Sequence, residues 1–153
     1  MKSDRKVPMR NHPTRASQVW AIDHAILSSA HRIYIRMVID VGTRLPLSAT
    51  LTFGIEEIGS GLERLIERSR IPEQIWLDNS FVSRSDRLLK LWTKRHRISI
   101  NYSYSPEMKA ISERSFRALL AFLRGKRPPT ILELAKELER WRETYVQDNL
   151  VKQ

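Results

Sequence analysis

The sequence predicts an α/β fold: a mixed five-stranded sheet with helices on both faces, in the order β-β-β-α-β-α-β-α-α. Three observations lead there. His31–Asp40 (HRIYIRMVID) alternates strictly, with Ile33, Ile35, Met37 and Ile39 on one face, and a Gly42-Thr43-Arg44 turn joins it to a second strand-like segment. The apolar period then lengthens from two residues to a helical one over Ile55–Arg70. A short, wholly apolar run follows at Gln74–Leu77, the pattern of a parallel strand buried on both faces. An early meander followed by alternating strands and helices fits one α/β sheet, and 153 residues fit one domain.

The elements follow in order. Residues 1–17 contain Pro8 and Pro13 and no apolar period, and are expected to form a basic extended arm. Gln18–Ala25 reads as the first strand, His31–Asp40 as the second and Leu45–Phe53 as the third, the last two forming a hairpin. Ile55, Ile58, Leu62, Leu65 and Ile66 mark the first helix, with Gly59 and Gly61 weakening its first turns. After Gln74–Leu77, the second helix spans Ser83–Arg97, capped by Ser83, with Leu88, Leu89, Leu91 and Trp92 as its apolar stripe. Ile98–Tyr104 is the fifth strand. Ser105-Pro106 opens a helix over Glu107–Arg124, and Thr130 with Glu133 caps a last helix to about Asn149.

Charge narrows the partner. There are 27 Lys+Arg against 17 Asp+Glu, a net charge of +10. Residues 1–17, 84–97 and 109–127 carry net charges of +4, +5 and +5, which leaves −4 elsewhere. Clustered positive charge suits a polyanion, because each neutralised phosphate releases condensed counterions. The absence of cysteine excludes disulfides, thiolate catalysis and Cys-type zinc sites. No apolar run approaches the ~18 residues of a membrane span and no signal peptide follows Met1, so an intracellular, cytoplasmic protein is expected.

Two aspartates end apolar strands: Asp23 in AIDH and Asp78 in WLDN. Ligands of α/β sheets bind at the carboxyl ends of parallel strands. Glu113 lies on a later helix in a basic stretch, KAISERSFR. Three carboxylates that converge repel one another unless a cation joins them, and Mg²⁺ accepts such hard oxygen donors. Asp40, after MVI, competes for the same role, and any of these acids also serves as an ordinary turn former or helix cap. Trp20, Trp76 and Trp92 sit on apolar faces and read as core. Trp141 and Tyr145 share a helix face, and His24 reads as structural.

VWAIDH at 19–24, VIDVGTRLPLSATL at 38–51, IWLDNSFVS at 75–83 and SPEMKAISERSFRALL at 105–120 together resemble the catalytic core of DDE transposases of bacterial insertion sequences and phage-type elements, relatives of retroviral integrases. The likeness extends over about residues 10–149 and rests on order and spacing, with 34 residues between Asp78 and Glu113. Ser80 stands where that family usually has Gly, and the loop after Asp78 is short and lacks its acidic residue.

The resemblance implies an RNase H-like catalytic core over residues 18–149 and a polynucleotidyl transferase that hydrolyses phosphodiesters and then transfers a 3′-OH strand in DNA transposition or integration. It implies Asp23, Asp78 and Glu113 as catalytic residues holding two Mg²⁺ or Mn²⁺ ions, DNA as partner, and a homo-oligomer of at least two copies. Lys109 and Arg117 share the Glu113 helix face and are expected to contact DNA, together with Arg114, which points elsewhere, and Arg84. The alternatives are a catalytically degenerate DNA-binding or assembly module of a mobile element, and a structure-selective nuclease of the same fold.

Overall fold

The computed structural model describes residues 16–54, 58–79, 84–102, 105–126 and 128–150. The expected arm at 1–17, the capping role of Ser83 and the first turn of the Ile55 helix fall wholly or mostly outside these residues. Five strands are present: β1 (Val19–Ser28), β2 (Ile33–Asp40), β3 (Leu45–Thr52), β4 (Gln74–Trp76) and β5 (Ser99–Asn101). Four helices are described: α1 (Ile58–Ile66), α2 (Arg87–Arg95), α3 (Pro106–Leu123) and α4 (Ile131–Leu150). The sheet order is β3-β2-β1-β4-β5, with β1, β2 and β3 antiparallel and β4 and β5 parallel to β1. The expected mixed five-stranded α/β architecture is therefore the observed one.

Strand alternation builds two cores. Val19 and Ala21 of β1, with Ile35, Met37 and Ile39 of β2, face Met108, Ile111 and Leu119 of α3 and Leu138 and Trp141 of α4. Trp20, Ile22 and Val38 face the other way, onto Ile58, Leu62 and Leu65 of α1 and Leu89 and Trp92 of α2. Trp20, Trp76 and Trp92 are all buried, as their apolar surroundings predict. On α2 the expected four-residue stripe narrows to Leu89 and Trp92, while Leu88 and Leu91 are exposed. At 100° per residue the four positions span an arc of about 160°, and the buried face is centred on Leu89 and Trp92 and continues to Thr93, which leaves Leu88 and Leu91 on its exposed side.

Asp40 is a turn former. It is 2% exposed; its carboxylate accepts the Gly42 amide at 3.0 Å and the Ser17 amide at 2.7 Å, and its carbonyl accepts the Arg44 amide at 2.7 Å. It pairs with Trp20 near the start of β1, whereas Asp23, expected near a strand end, pairs with Met37 in the middle of β1, which continues to Ser28.

The α1–α2 contact depends on two residues. Buried Asp86 is the N-cap of α2, accepting the Leu89 amide at 2.9 Å, and its other oxygen accepts the Ile58 amide of α1 at 2.8 Å. The α2 cap is thus Asp86, and the helix begins four residues later than Ser83. Gly59, expected only to weaken α1, lets the helices touch: a Cβ there would lie 2.8 Å from the Leu88 carbonyl oxygen and 2.9 Å from the Leu89 amide nitrogen. Both obstacles are backbone, so relief requires the helices to separate.

Gly59→Ala should therefore destabilise the fold by ~1–3 kcal/mol despite alanine's better helix propensity. Asp86→Ala, which leaves two helix-terminal amides without their acceptor, should cost about 2–3 kcal/mol. Urea unfolding of both variants measures this, and wild-type midpoints would refute the shared-clamp account.

Candidate functional site

The centre of the sheet places the two strand-end aspartates. β1 and β4 run parallel in the register Val19↔Gln74, Trp20↔Ile75 and Ala21↔Trp76. Two residues further along each chain lie Asp23 and Asp78, at the same level. Leu77 continues the sheet by donating its amide to the Asn101 carbonyl of β5 at 2.9 Å, which fixes the backbone just before Asp78. Asp23 follows Ala21 on the face covered by α3, and its carboxylate accepts the following amide, of His24, at 2.8 Å.

His24 points to the opposite face, where it meets its register partner Arg36. The Arg36 Nε donates to His24 Nε2 at 2.9 Å, so the imidazole is neutral and carries its proton on Nδ1. Burial, reinforced by the Arg36 charge and only partly offset by Asp78, pushes its pKa down from 6.5 to about 4. Arg36 is itself buried, at 6% exposure. Burial lowers its pKa, and the negative charge of Asp86 acts against that shift. A line of charge thus runs from Asp78 through His24 and Arg36 to the helix-capping Asp86. The structural role expected for His24 is the one observed.

Asn79, the residue after Asp78, is held by Arg84. Its Nε donates to the Asn79 side-chain oxygen, and its guanidinium lies 5.2 Å from the centre of the Tyr102 ring. Arg84, expected to contact DNA, has an intramolecular task here: it ties the residue next to Asp78 to the end of β5.

On α3, Ser105 caps the first turn by accepting the Met108 amide at 3.1 Å, and Pro106 occupies the position where no amide is needed. Met108, Ile111, Ser112, Ser115 and Leu119 are buried. Lys109, Glu113 and Arg117 form an exposed row on one flank, as their spacing of four predicts. Lys109 Nζ stands 3.9 Å from Glu113 Oε1, with both side chains more than half exposed. Arg114 leaves from the other flank and lines a cleft with Arg44.

The structure therefore sets Asp23 and Asp78 side by side and leaves Glu113 turned to Lys109. Among the described residues, no three His, Cys, Asp or Glu side chains are gathered closely enough to hold a metal ion. Two hard carboxylates on neighbouring strand ends suit a divalent cation. The third donor would have to leave Lys109, and an exposed i,i+4 pair is worth only ~0.3–0.5 kcal/mol, so little opposes that turn.

Solved structures share this fold. The catalytic core domain of BIV integrase superposes with a TM-score of 0.59 and 21% sequence identity, covering 80% of each chain. A simian T-cell lymphotropic virus intasome, solved in complex with PP2A regulatory subunit B56 gamma, gives a TM-score of 0.67 and 18% identity over 84% of this chain and 49% of that one. The fold is that of a retroviral integrase catalytic core. No protein-family model and no curated protein matches the sequence. Among the described residues of this integrase-like core, no helix is long and apolar enough to cross a membrane.

Sequence reasoning missed the Arg36–His24 contact and the Arg44–Arg114 cleft. Arg36 was the available signal for the first, as a lone cation within an otherwise apolar strand. Its partner followed only from the register of β1 on β2.

The His24 pKa gives a pH prediction. A histidine with a folded pKa of about 4 and an unfolded value near 6.5 takes up its proton more readily when unfolded. Its contribution to stability is fully present above pH 6.5 and is lost as pH falls toward 4, by about 2 kcal/mol after allowing for partial exposure. Denaturant titrations across pH 4–7 should show this slope in the wild type and a shallower one in His24→Gln. Equal slopes would mean that His24 is not held neutral.

Proposed function

We propose that this chain is a DNA recombination module whose core carries out phosphodiester hydrolysis and 3′-OH strand transfer, in the manner of an integrase or DDE transposase. The observation that carries the reading is the parallel register of β1 and β4, which sets Asp23 and Asp78 level at the mouth of an integrase-type sheet.

Asp23 and Asp78 would hold Mg²⁺ or Mn²⁺, and Glu113 would join them on releasing Lys109. Bound divalent ions supply positive charge to the attacking and leaving oxygens of a phosphodiester. The chain's own residues do the rest by positioning. The Asn101 and Arg84 contacts fix the backbone around Asp78, and the neutral His24 adds no competing cation beside the acids. Lys109 and Arg117, on either side of Glu113 along α3, supply positive charge for the DNA backbone near the scissile bond, and the surplus of +10 favours the same partner. The active form would be a homo-oligomer of at least two copies acting on intracellular DNA.

A second reading has a specific observation behind it. Glu113 pairs with Lys109 and no three-acid group is gathered among the described residues, which suits a degenerate DNA-binding or assembly module.

A strand-transfer assay with Mg²⁺ or Mn²⁺ separates the two. The catalytic reading expects product from the wild type and a loss of about 10²–10³-fold in Asp78→Asn and Asp23→Asn. Equal, background-level product from all three proteins, with DNA binding retained, would establish the inert module. The Lys109→Ala/Arg117→Ala variant should bind DNA more weakly, with its salt slope reduced by about two. An unchanged slope would remove both residues from the interface.

A further inference from the structure

The flank of α3 that adjoins the Lys109–Glu113–Arg117 row forms one wall of a cleft of about 280 Å³, lined by Arg44, Glu107, Ala110, Ile111 and Arg114. Arg44 comes from the β2–β3 turn, so two separate elements bring a guanidinium to the same concavity. Neither arginine side chain enters an ion pair or hydrogen bond among the described residues. The cleft holds one acid, Glu107, against two arginines, and Ala110 and Ile111 give it an apolar back.

The backbone at Arg44 adds an independent observation. Its φ is +63°, the left-handed region that glycine occupies without strain. A long cationic side chain stands in a turn that would form more easily with glycine. Strain of this kind, kept at a position facing a cleft, points toward use of the side chain.

We propose that Arg44 and Arg114 together bind one phosphodiester group of the DNA strand, at a distance from the strand-end aspartates. This rests on the DNA reading above and extends its footprint. Two planar guanidiniums match the oxygens of a phosphate, and the apolar wall accepts the sugar or base beside it. The turn starts at Asp40, paired with Trp20, and Asp23 is three residue steps further along β1 than Trp20. At ~3.3 Å per residue that is roughly 10 Å, so the bound phosphate lies a few nucleotides from the one at Asp23 and Asp78. α3 would then touch the strand over a broad exposed face that runs from Lys109 past Arg117 to Arg114.

The test is a fluorescence-anisotropy titration of a labelled DNA duplex at several salt concentrations, with cleavage measured on the same substrate. The variants are Arg44→Gly/Arg114→Ala and, separately, Arg44→Gly, whose glycine removes the charge while fitting the turn, so folding is retained. Because both arginines share one phosphate, the double variant should bind about tenfold more weakly and lose about one from its salt slope. Arg44→Gly alone should show most of that loss. Wild-type affinity and slope in the double variant, with the wild type binding DNA normally, would overturn the cleft assignment and leave the recombinase reading standing. A wild type that cleaves nothing, yet loses affinity through Arg44 and Arg114, would uphold the cleft and overturn the catalytic reading.

Discussion

A single buried carboxylate, Asp86, ties the second face of the molecule together. One oxygen ends α2, the other ends α1, and its charge acts on the buried Arg36 between the helices and the sheet. Burying an unpartnered carboxylate is costly, and this one is stabilised by two amides and a nearby cation. The helices can reach it only because Gly59 presents no Cβ to the backbone of residues 88 and 89. The clamp and the glycine are one device: the cap sets where the helix ends meet, and the glycine sets how closely.

The functional end of the sheet is reached from that clamp through side chains. Arg36 reaches across from β2 to β1 and fixes His24 as a neutral acceptor, and His24 follows Asp23 directly and feels Asp78. On the other face, α3 brings its exposed flanks past the same strands. One flank holds the Lys109–Glu113–Arg117 row and the other holds Arg114 opposite Arg44. Positive side chains thus stand both on α3 and on the β2–β3 turn.

Much of the fold was legible because period and turn chemistry are local. Strict alternation fixed β2, Ser105-Pro106 fixed the start of α3, and the apolar Gln74–Leu77 run identified a parallel strand. Boundaries shifted where tertiary contacts intervened: β1 runs on to Ser28 because it pairs with β2 beyond the reach of β4, and α2 starts at Arg87 because Asp86 caps it while also meeting the Ile58 amide. The α2 stripe was overestimated because the buried face is turned toward Thr93, so that Leu88 and Leu91 fall on its exposed edge.

The sequence by itself determined the order of elements, the place of Asp78 just past an apolar strand, and the common flank of Lys109, Glu113 and Arg117, since each follows from spacing along one chain segment; Asp23, expected near a strand end, lies within the longer β1. Only the tertiary structure decided what each acid meets. Asp40 and Asp86 are held by backbone amides, and Asp23 and Asp78 lie level across two strands. Glu113 rests on a weak surface pair, and Arg44 meets Arg114 across a cleft. Those distinctions depend on contacts between residues far apart in the chain, and spacing along the sequence carries no information about which distant amide or guanidinium a carboxylate will meet.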